Sequence, residues 1–395
     1  MSISPKKRRR IGIDARFYGP LGKGLGRYVQ EVIDNIINLD SGLEQEFEYV
    51  IFLSPDNIEE FSSTNPLVEK RLVSLRWYSW REQLFFPFIL KKAKLDLVHF
   101  PHFNVPIFSS IPFVVTIHDL ILTRFPSRRA SMLPAILYWF KQAAYRFIIS
   151  VAVRRASKII TVSKFTRQDI INQFHADPNK LAVTYEGVAD LVNDSEDTIT
   201  DAENILSLYG IRRPFLLYVG NAYPHKNLES LVSVFASLRQ HQPNLSLVMV
   251  GKDDYFYQRV KIKAINLGLC SSLANASVIF PGYVPDNHLR FLYRQALVYV
   301  FPSLYEGFGL PPLEAMSAGC PVASSDQASL PEIIGEAAMY FNPYDKKDML
   351  EKLNYLINDE AYRHQLVVRG YERVKIFSWR ECAKMTLDIY RQILQ

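Results

Sequence analysis

Short apolar runs and longer amphipathic runs alternate along most of this chain. "RIGIDA" (10–15), "FEYVIFL" (47–53), "LDLVHF" (95–100), "FVVTIHD" (113–119), "SKIITVS" (157–163) and "KLAVTY" (180–185) are nearly unbroken apolar stretches rich in β-branched residues. Strands covered on both faces read this way, because neither face can carry many polar side chains. Between the first two, "RYVQEVIDNIINL" sets Val29, Val32, Ile33 and Ile36 on one helical face. The rhythm restarts after about residue 210, with "FLLYVG" (215–220), "LSLVMVG" (245–251), "SVIFPG" (277–282), "LVYVFPS" (297–303), "PVASS" (321–325) and "AMYF" (338–341). Two doubly wound α/β domains are predicted.

The acidic stretch "GVADLVNDSEDTITDAEN" separates the two series and serves as linker, its end entering a helix. This gives a first domain over 1–190 and a second over 191–377. The last segment, 378–395, reads as an amphipathic helix capped by Ser378 and is expected to pack back on the first domain. At 395 residues the chain exceeds one comfortable core. Two βα domains predict a cleft facing strand C-terminal ends, where such sheets bind ligands.

Composition narrows the class. Apolar residues make up 48% and charged residues 22%, as in ordinary globular proteins. Cys270, Cys320 and Cys382 are odd in number and lack metal spacing, so a reducing, cytoplasmic setting is expected. "MSISPKKRRRIG" runs straight into a strand pattern, with no apolar leader core. Residues 1–190 hold 26 Lys and Arg against 18 Asp and Glu; residues 191–395 hold 20 against 22. A basic first half fits anionic partners: lipid head groups, a diphosphate-linked acceptor or nucleic acid. "KKRRR" (6–10) reads as a solvated tail, with surface attachment as the sharper alternative. "AILYWFKQAAYRFIISVAV" (135–153) is interrupted by Lys141, Gln142 and Arg146, so it is no clean span. It is either a buried helix or one whose aromatic and basic residues meet a lipid surface from the inner face of the cell membrane.

The chemistry concentrates in "SLYEGFGLPPLEAMSAGCPV" (303–322). Pro311 and Pro312 suit a first helical turn, and Gly319 followed by Pro321 suits the exit. A helix of about two turns is predicted, beginning at Pro311, with Glu314 in its first turn. Its free N–H groups, with Gly307, Phe308, Gly309 and Leu310 before them, form an anion site. Glu314 would accept hydrogen bonds from a neighbouring diol such as ribose, and Glu306 would face the other end of the ligand. Alternatively they are a helix-dipole partner and a loop charge.

That string resembles the Glu-x7-Glu signature of the retaining GT-B glycosyltransferases of family 4. "GKGLGRYVQEV", "GNAYPHKNL" and "SLPEIIGEAA" stand in the family's order, so the resemblance covers nearly the whole chain. It implies a nucleotide sugar held mainly on the second domain and an acceptor entering from the first. It places the sugar on Glu306 and the ribose on Glu314. The variant "GNAYPHKN" is similar to bacterial polysaccharide and lipopolysaccharide enzymes, often mannosyl or rhamnosyl transferases. The expected reaction is therefore transfer of a hexose, with a lean to mannose from GDP-mannose, to a saccharide or lipid-linked saccharide. A sugar-nucleotide epimerase, a phosphorylase, or a non-enzymatic basic module binding membrane or nucleic acid are the rivals.

Lys226 follows a strand end and precedes a helix that Asn227 can cap, so it reaches for a diphosphate; otherwise it is a surface lysine. The resemblance pairs this lysine with an arginine five residues earlier, where this chain has Asn221. Arg27 could compensate only on domain closure. Gly22, Gly24 and Gly26 form a glycine loop that either turns a βα unit or approaches phosphates. His118 ends a strand facing the crevice and is either a structural histidine or, as the resemblance implies, a hydrogen-bonding partner of the donor sugar, with Asp119 placed to orient it. His99 and His102 form an H-x-x-H string, read as a loop on the acceptor side. No Asp-x-Asp occurs, so no metal or other cofactor is expected, and the departing charge falls to Lys226 and helix dipoles. "SLPE" (329–332) fits a capping box, with contact to the ligand as the equal alternative. Asn193 and Asn275 head Asn-x-Ser strings without meaning in a cytosolic chain.

Overall fold

The computed structural model describes residues 8–20, 23–42, 45–125, 135–188, 199–270 and 277–395. Lys6, Lys7, Gly22, Asn193, Asn275 and most of the proposed linker lie outside the described residues. The chain forms two compact units: Met1–Thr123 with Ile136–Gly187 and Ser378–Gln395, and Arg124–Ala135 with Val188–Phe377.

In the first unit the strands are β1 (Arg9–Asp14), β2 (Phe47–Leu53), β3 (Val68–Leu72), β4 (Leu97–Phe100), β5 (Phe113–Ile117), β6 (Lys158–Thr161) and β7 (Leu181–Val183). They form one parallel sheet in the order β3-β2-β1-β4-β5-β6-β7. Its helices are α1 (Lys23–Leu39), α2 (Trp80–Lys92), α3 (Ile121–Arg124), α4 (Ala135–Arg155) and α5 (Lys164–Phe174). The second unit carries α6 (Ile199–Leu208), β8 (Phe215–Val219), α7 (Leu228–His241), β9 (Ser246–Val250), α8 (Tyr255–Asn266), β10 (Val278–Gly282), α9 (Asp286–Gln295), β11 (Val298–Phe301), α10 (Leu310–Ser317), β12 (Val322–Ser325), α11 (Leu330–Ile334), β13 (Ala338–Phe341), α12 (Lys346–Asn358) and α13 (Glu360–Val374). Its sheet is parallel in the order β10-β9-β8-β11-β12-β13. Each sheet reverses its strand order once, between β1 and β4 and between β8 and β11, and ligands of such sheets bind at that reversal.

Packing follows the apolar pattern. Val29, Val32, Ile33 and Ile36 are all buried on α1. Each apolar side chain of that size contributes about 1.5–3 kcal/mol on full burial. The last helix, α14 (Trp379–Leu394), is capped by the Ser378 side chain and packs on α1. Tyr390 on α14 reaches His99 Nδ1 at 2.6 Å.

Strand β3 has no counterpart in the apolar pattern. Its sequence VEKRL is charged because it is an edge strand, and only the apolar residues of an interior strand announce themselves. The basic N-terminal run also differs from a solvated tail. Arg9 and Arg10 belong to β1, where Arg9 meets Asp96 and Arg10 meets Glu48 and Glu69. Carboxylates on neighbouring strand ends draw the guanidinium groups onto the sheet.

Candidate functional site

At the strand reversal of the second unit, two loops bring a cation and a carboxylate together. After β8 the chain makes a short 3-10 turn at Pro224–Lys226, and after β11 it enters the loop 302–309. The loops are tied by the backbone: Leu304 N–H donates to the His225 carbonyl at 2.7 Å. This places Lys226 Nζ 2.6 Å from Glu306 Oε1, with the two side chains 12% and 10% exposed. The ammonium also lies 5.2 Å from the centre of the Phe301 ring. A pair so shielded interacts more strongly than one on the surface. It is also nearly neutral as a unit, so an arriving anion meets the lysine without an uncompensated carboxylate beside it.

The loop after Glu306 leads into α10. Gly309 occupies the N-cap with φ at +113°, a left-handed conformation that glycine adopts without strain, and no side chain caps the helix. The Ser329 hydroxyl lies 3.0 Å from the Glu306 carbonyl and 2.8 Å from that of Phe308, holding the loop from below. Ser329 therefore does not cap α11 with its side chain, so the expected capping box is not made. Phe308 is buried, its ring edge-on to Phe377 at 5.5 Å, which leaves its backbone as the part able to face a ligand.

One helix boundary shifts and one expected side-chain cap is not made. Helix α10 starts at Leu310, before Pro311, because a proline is tolerated at either of the first positions. Glu314 consequently sits in the second turn, half-buried, with the Tyr293 hydroxyl 3.3 Å from its Oε2. Asn227 does not cap α7 with its side chain either. It takes a left-handed backbone and gives its Nδ2–H to the Pro343 carbonyl at 2.9 Å.

Sequence reasoning missed the tyrosines that shape the β8 exit. Tyr218 donates to the Asn221 carbonyl at 2.7 Å, and the Tyr257 hydroxyl sits 2.8 Å from the carbonyls of Gly220 and Val250. Asn221 itself accepts from Tyr223 N–H through Oδ1 at 3.3 Å. Buried phenols would have been legible only as apolar strand or helix residues, since the carbonyls they serve come from turns and a strand end. His225 was also passed over. It is buried, and burial together with Lys226 pushes its pKa down to about 4, so it is a neutral support.

In the first unit, His118 follows β5. Its Nε2 lies 3.0 Å from the Pro101 carbonyl, a contact in which the ring must donate, and its Nδ1 lies 3.1 Å from Glu186 Oε1. The orienting carboxylate is thus Glu186; Asp119 instead accepts from Ile121 N–H at 2.9 Å, at the start of α3. Burial lowers the His118 pKa, but the hydrogen bond and charge of Glu186 outweigh it and the net shift is upward. A folded pKa above the unfolded value of about 6.5 stabilises the fold below that value, and the gain is lost as pH rises through the folded pKa. Chemical denaturation between pH 6 and 9 should show this decline in the parent and a flatter profile in His118→Asn.

His99 is not in a loop. It lies in β4, fully buried, with Nε2 2.9 Å from the Thr116 hydroxyl, which is itself 3.2 Å from the Tyr28 hydroxyl. Burial, with His118 nearby, drops its pKa to about 3. His102 stays separate, its ring 4.0 Å from that of Phe103. Among the described residues, no group of three or more His, Cys, Asp or Glu is placed to hold a metal ion.

Gly24 and Gly26 lie in the first turn of α1, not in a loop. A Cβ on Gly26 would stand 2.0 Å from the Gly19 carbonyl oxygen and 2.7 Å from that of Phe17, whereas one on Gly24 would meet open space. Backbone atoms cannot swing aside as side chains do. Gly26→Ala is expected to cost about 1–3 kcal/mol, and Gly24→Ala to be neutral or slightly stabilising, as urea unfolding of the two variants would show.

A hollow of about 820 Å³ in the first unit is lined by Asp34, Asn38, Gln45, Asn65 and Leu67, among others. It lies where the chain enters β2 and β3, the wrong end of a parallel sheet for chemistry. A smaller hollow of about 240 Å³ in the second unit is lined by Tyr223, Pro224, Asn227, Glu229 and Arg259, adjoining the Lys226 turn.

Comparison with known proteins bears on this geometry. Residues 24–190 match the family "Glycosyltransferase Family 4", and residues 209–373 match "Glycosyl transferases group 1". The chain is 29% identical over 309 residues to O-antigen chain mannosyltransferase B of Escherichia coli, covering 76% of each protein. It is 31% identical over 250 residues to the serotype-specific mannosyltransferase WbdA of Escherichia coli, spanning only 29% of that longer protein. Among solved structures, sucrose-phosphate synthase from Thermosynechococcus elongatus superposes with a TM-score of 0.75 at 21% identity, over 98% of this chain and 99% of that one. Among the described residues no helix is long and apolar enough to cross a membrane. With two Rossmann-like parallel sheets and both family matches in order, the chain belongs to glycosyltransferase family 4 and is a glycosyltransferase of the GT-B fold.

Proposed function

We propose that this enzyme transfers mannose from GDP-mannose, with retention of configuration, to a saccharide or lipid-linked saccharide in O-antigen-type polysaccharide synthesis at the cytoplasmic face of the membrane. The observation that carries the reading is the shielded Lys226–Glu306 pair beside the N-terminus of α10. In this reading Lys226 and the Gly307–Leu310 backbone at the N-terminus of α10 receive the departing diphosphate, with no metal required. Glu306 holds sugar hydroxyls and favours the positive charge that develops at the anomeric carbon. Glu314 takes the ribose diol. The phosphate oxygen that leaves would take the acceptor proton on the same face. The choice of mannose is supported by the named relatives, both mannosyltransferases.

Thermal unfolding with a panel of nucleotide sugars tests the donor. A ligand at 100 times its dissociation constant adds about 2.7 kcal/mol, so GDP-mannose should raise the midpoint well beyond UDP-glucose or UDP-galactose. The reverse order would overturn the donor. GDP release should depend on added acceptor, and NMR of the product should show the α-anomer. A β-linked product would overturn retention, and a covalent glycosyl–protein adduct in mass spectrometry would overturn same-face departure.

A further inference from the structure

Helix α2 is turned inside out. Its inner face buries Glu82, Phe86 and Leu90, yet its outer face also carries large apolar side chains: Trp80, Leu84, Phe85 and Phe88, with Trp80 68% and Phe88 64% exposed. Interleaved with them are exposed Arg81, Lys91 and Lys92. The helix's lone acid, Glu82, is buried, so the outward face carries positive charge only. Helix α4 repeats the pattern. Trp139, Phe140 and Phe147 are exposed beside Lys141 and Arg146, and the whole helix contains no Asp or Glu. Of the two readings of this segment, the buried helix fits only the inner face of α4, where Tyr145 and Ile149 are buried.

The two faces are joined. Gln83 of α2 donates to the Val105 carbonyl at 3.2 Å and accepts from Ile107 N–H at 2.9 Å. Arg155, at the end of α4, donates to the carbonyls of Ile107 and Ser109. Between these anchors Phe108 stands exposed at the loop tip. Both helices also pack into one core through Phe86, Leu90, Tyr145 and Ile149. Aromatic rings and cationic heads are thus exposed on two helices of the first unit that share one core and are held to the same loop.

We propose that this surface docks on an anionic lipid bilayer, the rings entering the head-group boundary and the lysines and arginines meeting lipid phosphates. Aromatic side chains prefer that boundary, and basic residues snorkel to it. A protein partner would need matching acidic charge for a face with none of its own, whereas an anionic bilayer supplies that charge everywhere. The proposal deepens the reading of a lipid-linked acceptor and rests on it for its purpose. Docking itself is read without donor or acceptor, so its failure and the failure of that reading stay separate.

The test is co-sedimentation of the full chain with phosphatidylcholine vesicles, with and without phosphatidylglycerol. Three proteins are compared: the parent, Phe88→Ser/Phe140→Ser/Phe147→Ser, and Lys91→Glu/Lys92→Glu. The parent should bind the anionic vesicles and release them in high salt. Each variant should bind at least about tenfold more weakly, with an unchanged unfolding midpoint and unchanged GDP-mannose stabilisation. A parent that ignores anionic vesicles, or variants that bind as it does, would overturn the proposal. So would a parent dimer that the aromatic variant splits without any vesicle binding, since the face would then meet a second copy. Should the triple variant unfold early, the charge reversal alone decides, because exposed lysines contribute little to folding.

Discussion

Glu306→Gln is expected to lower kcat by on the order of 10²–10³, the scale of losing one preorganised electrostatic group in an active site. Glutamine keeps the shape and gives up the charge. Two effects must be told apart, because Glu306 is also the partner of Lys226, 2.6 Å away and nearly buried. Removing one member of such a pair strands the other, and for fully buried pairs this costs about 3–5 kcal/mol. A loss of activity could therefore follow from a displaced lysine. Comparison with Lys226→Met, with GDP binding read by thermal shift beside turnover, separates the cases. If Glu306 holds the sugar, GDP binding should persist in Glu306→Gln while kcat falls; GDP binding weakened as far as in Lys226→Met would make Glu306 a mere support for its neighbour. The double variant Lys226→Met/Glu306→Gln carries no stranded charge, so its stability should return toward the parent's, with activity lost in either case. Turnover by the single variant at the parent rate would remove Glu306 from the site.

What the sequence disclosed depends on where each signal resides. Interior strands are legible because both faces are covered, so β1, β2, β5 and β9 stand out as apolar runs. Edge strand β3 has one flank in solvent, and its charges hide it. The placement of Lys226 and Glu306 after the two strands that flank the order reversal was legible from motif position alone. Their ion pair was not, since it depends on a backbone bond between His225 and Leu304, 79 residues apart in the sequence and invisible to periodicity. His118 was legible as a strand-end histidine, but its partner Glu186 comes from beyond β7 and carries no local mark. Caps were over-read for a related reason. Ser329 and Asn227 have the right chemistry for capping, and tertiary acceptors at Glu306, Phe308 and Pro343 competed successfully for their side chains. The outward rings of α2 could not be separated from core residues by hydrophobicity, because the helix is apolar on both faces.

The largest stability effect in the first unit is expected at Arg16, just beyond the end of β1. Its guanidinium is fully buried and forks onto Asp14, with Nε 2.8 Å from Oδ1 and Nη2 2.7 Å from Oδ2. Nη2 also meets Glu82 Oε1 of α2 at 2.6 Å, and the rings of Trp77 and Phe86 lie 4.0 and 4.3 Å from the guanidinium carbon. Burial works against the charge, yet Asp14 and Glu82 raise the arginine's pKa overall. Glu82 is completed by Asn104 Nδ2–H and Tyr78 N–H, each at 2.8 Å. One cation therefore holds two buried carboxylates and ties the inner face of α2 to the sheet. Arg16→Met keeps the apolar contact and leaves both carboxylates without a counter-charge. The expected loss at pH 7 is about 3–5 kcal/mol, the range for breaking a buried pair from one side. Burial already raises the Glu82 pKa, and without Arg16 it should stand further above the unfolded value of about 4.3. Raised carboxyl pKa values give stability that is present below the unfolded values and lost as pH rises through the folded ones. The deficit of Arg16→Met relative to the parent should therefore shrink as pH falls toward 4.5. Adding Asp14→Asn and Glu82→Gln should flatten that dependence. A deficit independent of pH in denaturant unfolding would assign the loss to packing between Trp77 and Phe86, and the carboxylates would not be what Arg16 is there to hold.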